Sequence, residues 1–240
     1  MLRCRSAREQ KQQMSPVNQP TQTLSAPAFL SSTVVASRPE GDDTFWRRIE
    51  LAALAIVLLV LNWSVLQGVC NSRLIFMPEA VGQGEWWRLF THPFIHVTWL
   101  HLLLDGAAFL LLYRDLQEQP WMQRVLLCIG SAVGSLLVCL CADPMLSTKG
   151  LCGISAIAHG LMGVSALNLM GQRHDKLLFR IGVCSFALVT VKCLIEVLTG
   201  KMLFTFLYFG MVGDPVAVTH AGGLLGALVT WLLCTRFTKA

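Results

Sequence analysis

Apolar residues in this chain gather into long, nearly uncharged runs separated by short polar stretches. Six such runs stand out: Ile49 to Gln67, with Glu50 at its edge; Thr98 to Tyr113, ending at Arg114; Val125 to Ala142; Ile154 to Met170, bounded by Lys149 and Arg173; Leu177 to Leu198, containing Lys192 and Glu196; and Val216 to Thr235. A helix needs roughly 20 apolar residues to cross a hydrocarbon core about 30 Å thick. The pattern therefore predicts an all-α, polytopic membrane protein, a bundle of six transmembrane helices. The link from Gly68 to Val97 is long for neighbouring spans and is expected to carry structure of its own. Its Trp86, Trp87, Arg88, Phe94 and His96, followed by Trp99, suit the headgroup level, where Trp is enriched.

Residues 1–44 are rich in Ser, Thr, Gln and Pro and lack a sustained apolar period. They read as a disordered cytoplasmic tail preceding a membrane domain over residues 45–240. Arg3, Arg5, Arg8 and Lys11, with few acids nearby, also fit an organelle targeting segment, and Met14 offers an alternative start. The first apolar run begins too far from the N-terminus for a secretory signal.

Composition agrees with a membrane protein. Hydrophobic residues make up 54% of the 240 positions and charged residues 14%, against about 25% charged in soluble domains. Mean hydropathy is +0.58. The net charge of +5 forms no basic stripe, so nucleic acid is not an expected partner. The basic residues report orientation instead. With the N-terminus inside, inner segments hold Arg38, Arg47, Arg48, Arg114, Arg124, Arg173, Lys176, Arg180, Arg236 and Lys239, and outer ones hold only Arg73, Arg88, Lys149 and Lys201. Lys and Arg favour the cytoplasmic side, which makes both termini cytoplasmic. Nine cysteines form no disulfide framework or zinc spacing, although Cys70 and Cys152 fall towards the outer side and could meet. No cofactor motif is present.

Polar residues that interrupt the spans carry the chemistry. An ionisable group in a membrane helix costs at least about 2.5 to 3.5 kcal/mol on insertion and is a functional candidate by default. In the orientation above, spans two, four and six run from outside to inside, and each holds its polar residues near its start: His101 and Asp105, Ser155 and His159, and His220. Three sequence-distant positions at one depth are what a shared site requires. Peptide hydrolysis needs a nucleophile, a base and donors for the developing oxyanion. Ser155 and a histidine supply the first two. Gly153 permits close backbone approach, and the start of span four offers unpaired N–H groups at the positive end of a helix dipole. Each residue has a plainer reading: a membrane-helix serine most often bonds its own backbone or a neighbouring helix, and Gly160, Gly163, Gly222 and Gly226 mark close helix packing.

The order of motifs resembles the rhomboid intramembrane serine proteases. Glu85-Trp86-Trp87-Arg88, then His96, His101 and Asp105 at spacings of five and four, resembles their first loop and second helix, where a Trp-Arg pair precedes His-x4-His-x3-Asn. Gly153-Ile154-Ser155-Ala156 is similar to Gly-x-Ser-Gly, and His220 with Gly223 to His-x2-Gly-x3-Gly. Within that class, Ser155 followed by His159-Gly160 and Lys192 followed by Glu196 resemble the rhombosortase subfamily. The resemblance spans roughly residues 49–235. It implies a six-helix fold, a Ser155 and His220 dyad, and His101, Asp105 and the Ser155 backbone N–H at the oxyanion. It also implies substrates that are exported proteins anchored by a C-terminal transmembrane helix after a Gly-Gly segment. The setting implied is a bacterial inner membrane, with the site towards the periplasm.

Two departures bear on mechanism. Ala156 stands where glycine is usual, and Asp105 where an asparagine amide helps hold the oxyanion; Ala227 replaces the last glycine of the final motif. A neutral Asp105 could donate to the oxyanion, whereas an ionised one would orient His101. His159, four residues after Ser155 on the same helical face, is a rival base. Two other functions compete with proteolysis. One is a rhomboid-like protein that binds transmembrane helices without cutting them. The other is a metal-dependent or transport protein using His92, His96, His101 and Glu196.

Overall fold

In a computed structural model that describes residues 40–209 and 216–237, the six apolar runs become six long helices: α1 (Glu40–Leu61), α2 (Trp99–Asp115), α3 (Trp121–Ala142), α4 (Ser155–Gly171), α5 (Lys176–Thr199) and α6 (Thr219–Phe237). Residues 1–39 of the expected tail lie outside the described residues. The first run ends differently from expectation: Asn62 breaks α1, and a single further turn, Trp63–Leu66, completes it. The protein is an all-α membrane bundle.

The helices differ in length for a reason that concerns the site. α3 and α5 are each long and apolar enough to cross a bilayer unaided. α2 and α4 have 17 residues, about 25 Å at 1.5 Å per residue, short of a roughly 30 Å core. The chain entering α2 bends by 90° between Arg88–Phe94 and Trp99–Asp115. Both short helices begin at the end of the bundle where the first loop packs, and their first turns carry His101 and Ser155.

Close packing sets the spacing of the helices. α4 is central, touching α2, α3, α5 and α6, while α1 leans chiefly on α2. The core joins Leu58, Leu102, Phe109, Ile154, Ile157, Leu161, Val164 and Ala227. At the α3–α6 contact a Cβ added to Gly226 would lie 2.0 Å from the Gly130 carbonyl oxygen, and one added to Gly134 would lie 2.5 Å from that of Gly222. Small residues let membrane helices approach in this way, since lipid supplies no hydrophobic drive to hold them together. The opposite faces carry Leu126, Ile129, Val133, Leu137 and Leu140 on α3 and Leu188, Val191, Leu194 and Leu198 on α5, all exposed as a lipid-facing surface requires.

Turns at the other end are short. Asp175 caps α5 by accepting from the N–H groups of Leu177 (2.9 Å) and Leu178 (3.1 Å). Glu118, between α2 and α3, pairs with Arg47, whose guanidinium holds that exposed carboxyl below its ordinary range.

The long first loop has the structure its length predicts, a chain of short helical turns from Ser72 to Phe94. Buried Arg88 organises it, donating to the carbonyls of Ser72 (2.7 Å) and Ile75 (2.6 Å) and to Glu85 Oε2 (2.5 Å). Trp86, Trp87 and Phe90 point outward. Phe76 and Leu151 exchange two backbone hydrogen bonds of 3.0 Å, which ties this loop to the segment entering α4. Buried Asn62 bridges α1 to the loop, donating to the Leu58 and Phe94 carbonyls (2.8 and 2.7 Å) and accepting from the His96 N–H (2.7 Å). Leaving such a buried amide unsatisfied would cost about 1–3 kcal/mol per group.

Candidate active site

α4 starts at Ser155 itself. The residue before it, Ile154, offers no side-chain cap, so the free N–H groups of the first turn are available to an anion. Gly153 reaches this start with φ of +104°, a conformation glycine adopts without penalty. Its N–H donates to the His92 carbonyl (3.1 Å). This bond fixes the turn against the first loop.

α6 brings His220 to the same place. A Cβ on Gly223 would lie 2.1 Å from the Ala156 carbonyl oxygen, so the two backbones meet one turn beyond His220 and one residue beyond Ser155. His220 Nε2 lies 3.2 Å from Ser155 Oγ. Its Nδ1 lies 2.6 Å from Glu196 Oε2, on α5. A carboxylate only accepts, so Nδ1 carries the proton and Nε2 turns its lone pair to the serine hydroxyl. His220 and Glu196 are both buried, at 2% and 0% exposure. The other Glu196 oxygen accepts from Lys192 Nζ (2.6 Å) and the Leu203 N–H (2.9 Å), which accounts for a carboxylate otherwise too costly to bury. Lys192 Nζ also approaches His220 Nδ1 at 3.2 Å, two donors that share the carboxylate between them.

The rival histidine has another position. His159 Nδ1 pairs with the Ser155 carbonyl (2.7 Å), and its ring stacks on His220 with centroids 3.9 Å apart at 15°. It holds the His220 ring from the side, and its bond to Ser155 goes to the backbone, while the hydroxyl is left to His220.

On the other flank stand His101 and Asp105, one turn apart on α2, with Nε2 to Oδ2 at 2.9 Å. The His101 ring faces Gly153, where a Cβ would come within 3.2 Å of its Nε2 and 3.9 Å of Asp105 Oδ2. A narrow recess beside Ser155 is lined by Ala132, Ser135, Leu151, Gly153, Ala156 and Thr219. The layer therefore contains a hydroxyl, an imidazole poised to take its proton, a buried carboxylate behind that imidazole, and donors on the far side. Such a set can carry out acyl transfer.

A family model for the rhomboid domain matches residues 83–237. The chain belongs to the rhomboid family. It is also 26% identical over 212 residues to a protein of Bacillus subtilis (strain 168) named "Putative rhomboid protease YdcA", covering 83% of this chain and 96% of that one. No solved structure matches the chain. Rhomboid membership supports intramembrane protease activity in a multi-pass membrane protein.

The four residues expected at the site of this rhomboid, Ser155, His220, His101 and Asp105, all lie in one layer at the starts of α2, α4 and α6. Sequence reasoning singled out Lys192 and Glu196 as charges within a span and as a rhombosortase-like pair, and placed Glu196 in the alternative metal set, but gave neither a role beside Ser155 and His220. The missed signal was position along the bundle: Glu196 lies near the end of α5, level with the start of α6, where it meets His220. The metal set His92, His96, His101 and Glu196 is not brought together. Glu196 is held by His220 and Lys192, and His92 Nδ1 pairs with the Arg88 carbonyl at 3.0 Å. Cys70 and Cys152 are both free thiols, and Cys70 Sγ donates to the His96 carbonyl (3.7 Å).

Proposed function

We propose that this protein is an intramembrane serine endopeptidase in which Ser155 is the nucleophile, His220 the base and Glu196 the group that orients it. The observation that carries the proposal is His220 hydrogen-bonded on both sides, to Ser155 Oγ at 3.2 Å and to Glu196 at 2.6 Å. As Oγ attacks the scissile carbonyl carbon, its proton passes to His220 Nε2, and the imidazolium so formed is stabilised by Glu196. The carbonyl oxygen becomes an oxyanion, received by the Ser155 N–H at the helix start and by His101. Nε2 then returns the proton to the departing amine, and the acyl group on Ser155 passes to water or to another amine.

Several features support a substrate of the rhombosortase type. The Glu85-Trp86-Trp87-Arg88 entry, Ser155 with His159-Gly160, and Lys192 with Glu196 are similar to that subfamily. The recess beside Ser155 has small side chains at Ala132, Ser135, Gly153 and Ala156, which suits a glycine next to the cut bond. The substrates proposed are exported proteins held by a C-terminal helix after a Gly-Gly segment and followed by a basic tail. The distribution of Lys and Arg supports a site on the non-cytoplasmic side, and the resemblance to the rhombosortases implies the periplasmic side of a bacterial inner membrane. Co-expression with a reporter carrying such a tail tests this. Cleavage at the Gly-Gly segment, lost in Ser155→Ala and in a reporter with that segment changed to Leu-Leu, is the expected result. A reporter that is bound but stays intact would favour the helix-binding reading instead.

A further inference from the structure

Beside the serine, a second group of ionisable side chains has no part in the proton path. His96 lies in the extended stretch before α2 and is completely buried. Its backbone is pinned by Asn62. Its ring meets that of His101 edge-on, centroids 4.9 Å apart at 76°. Neither ring nitrogen of His96 has a hydrogen-bond partner among the described residues. A buried polar atom left this way costs about 1–3 kcal/mol, a penalty that a ligand would remove.

One ring nitrogen from each of His96 and His101 and one carboxylate oxygen of Asp105 all lie within 4.8 Å of one another. His101 and Asp105 are four residues apart on α2 and emerge from one face, and His96 closes the group from the loop. Two imidazoles and a carboxylate, with a fourth position open, are the donor set of an open zinc site. At metal–ligand distances near 2.1 Å, tetrahedral ligands stand about 3.4 Å apart, so side-chain rotation of an ångström or so brings the three atoms into register. Asp105, which stands where the rhomboid pattern has asparagine, alone gives the group an anion. An asparagine there would leave two neutral rings and an amide.

We propose that His96, His101 and Asp105 form a binding site for a divalent transition metal of the zinc class, and that filling it silences proteolysis. The silencing rests on the proposed function, because His101 would exchange its oxyanion role for coordination; the binding does not. Chelator-stripped, full-length protein in detergent, with its cysteines alkylated, would be titrated with Zn²⁺ and, for spectroscopy, with Co²⁺. The expected result is one Zn²⁺ per chain and a Co²⁺ spectrum of a four-coordinate, cysteine-free site. His96→Asn and the near-isosteric Asp105→Asn should each weaken binding at least tenfold, while Ser155→Ala binds as wild type does. Cleavage should fall in step with Zn²⁺ occupancy, recover on adding EDTA, and need correspondingly more Zn²⁺ in His96→Asn. Lack of stoichiometric Zn²⁺ binding, or binding unchanged in both variants, would overturn the site. Zn²⁺ bound at one per chain without loss of cleavage would overturn the silencing. A metal-free protein that never cleaves would count against the protease reading, and the binding titration would still decide the site.

Discussion

Glu196→Gln isolates the part played by the buried carboxylate. The change keeps size and shape but turns one oxygen into an NH₂ group, and the surroundings decide which. Oε1 faces two obligatory donors, Lys192 Nζ at 2.6 Å and the Leu203 N–H at 2.9 Å, whereas Oε2 faces only His220 Nδ1 at 2.6 Å. The amide oxygen therefore takes the first side and the NH₂ the second. His220 must then accept at Nδ1 and carry its proton on Nε2, where it points at Ser155 Oγ and can no longer take the hydroxyl proton. The same inversion in a soluble serine protease lowers kcat about 10⁴-fold, which corresponds to about 5.4 kcal/mol at 1.36 kcal/mol per tenfold. A loss of about 10³- to 10⁴-fold in kcat, with KM little changed, is expected for a helical reporter substrate cleaved in one detergent or bilayer. The split matters because a merely structural carboxylate would lower the folded fraction and leave the pH profile of the remaining enzyme unaltered. Thermal unfolding of the variant checks that fraction. A Glu196→Gln enzyme within threefold of wild type, folded and with the same pH profile, would refute the orienting role.

Three further outcomes follow from the geometry. Asp105→Asn keeps the shape of the His101 contact but removes its charge; charge-assisted hydrogen bonds are worth about 1–1.5 kcal/mol more than neutral ones, so cleavage should slow about tenfold, and an equal or faster rate in a metal-free assay would instead assign Asp105 as a neutral donor. Gly223→Ala sets a methyl 2.1 Å from the Ala156 carbonyl oxygen; overpacking of about 1–3 kcal/mol and a displaced His220 should lower both the unfolding temperature and, by about a hundredfold, the rate, and a variant with wild-type stability and rate would show that this contact does not set the Ser155 to His220 distance. Cysteine introduced at Gln83 should react with an impermeant reagent from the periplasmic side and one at Gln117 should not; the reverse pattern would invert the topology.

Much of the fold was legible because a bilayer enforces long apolar runs, and all six runs emerge as helices with ends moved by a few residues. The common depth of His101, Asp105, Ser155 and His220 followed from counting helices, since the even spans all start on one side. Glu196 was harder. The i, i+4 spacing of Lys192 and Glu196 is visible in one helix, but a contact with His220, 24 residues later and across a loop, depends on how α5 and α6 sit around α4. The place of His159 was likewise hidden: helical spacing puts it near Ser155, yet only the approach of α6 turns it into a stacking partner of His220. His96 read as one histidine of a loop motif, and its burial depends on Asn62, a polar residue in the first apolar run whose partners lie in the loop 32 and 34 residues on.

A serine activated by His220 should react with a phosphonylating probe. The decisive measurement treats the folded protein in detergent with a fluorophosphonate and maps the adduct by mass spectrometry. The expected result is one phosphonyl group per chain on Ser155, at a rate that falls by orders of magnitude in His220→Ala and not in His159→Ala. A folded wild-type protein that takes up no phosphonyl group, or carries it on a residue other than Ser155, would contradict the account.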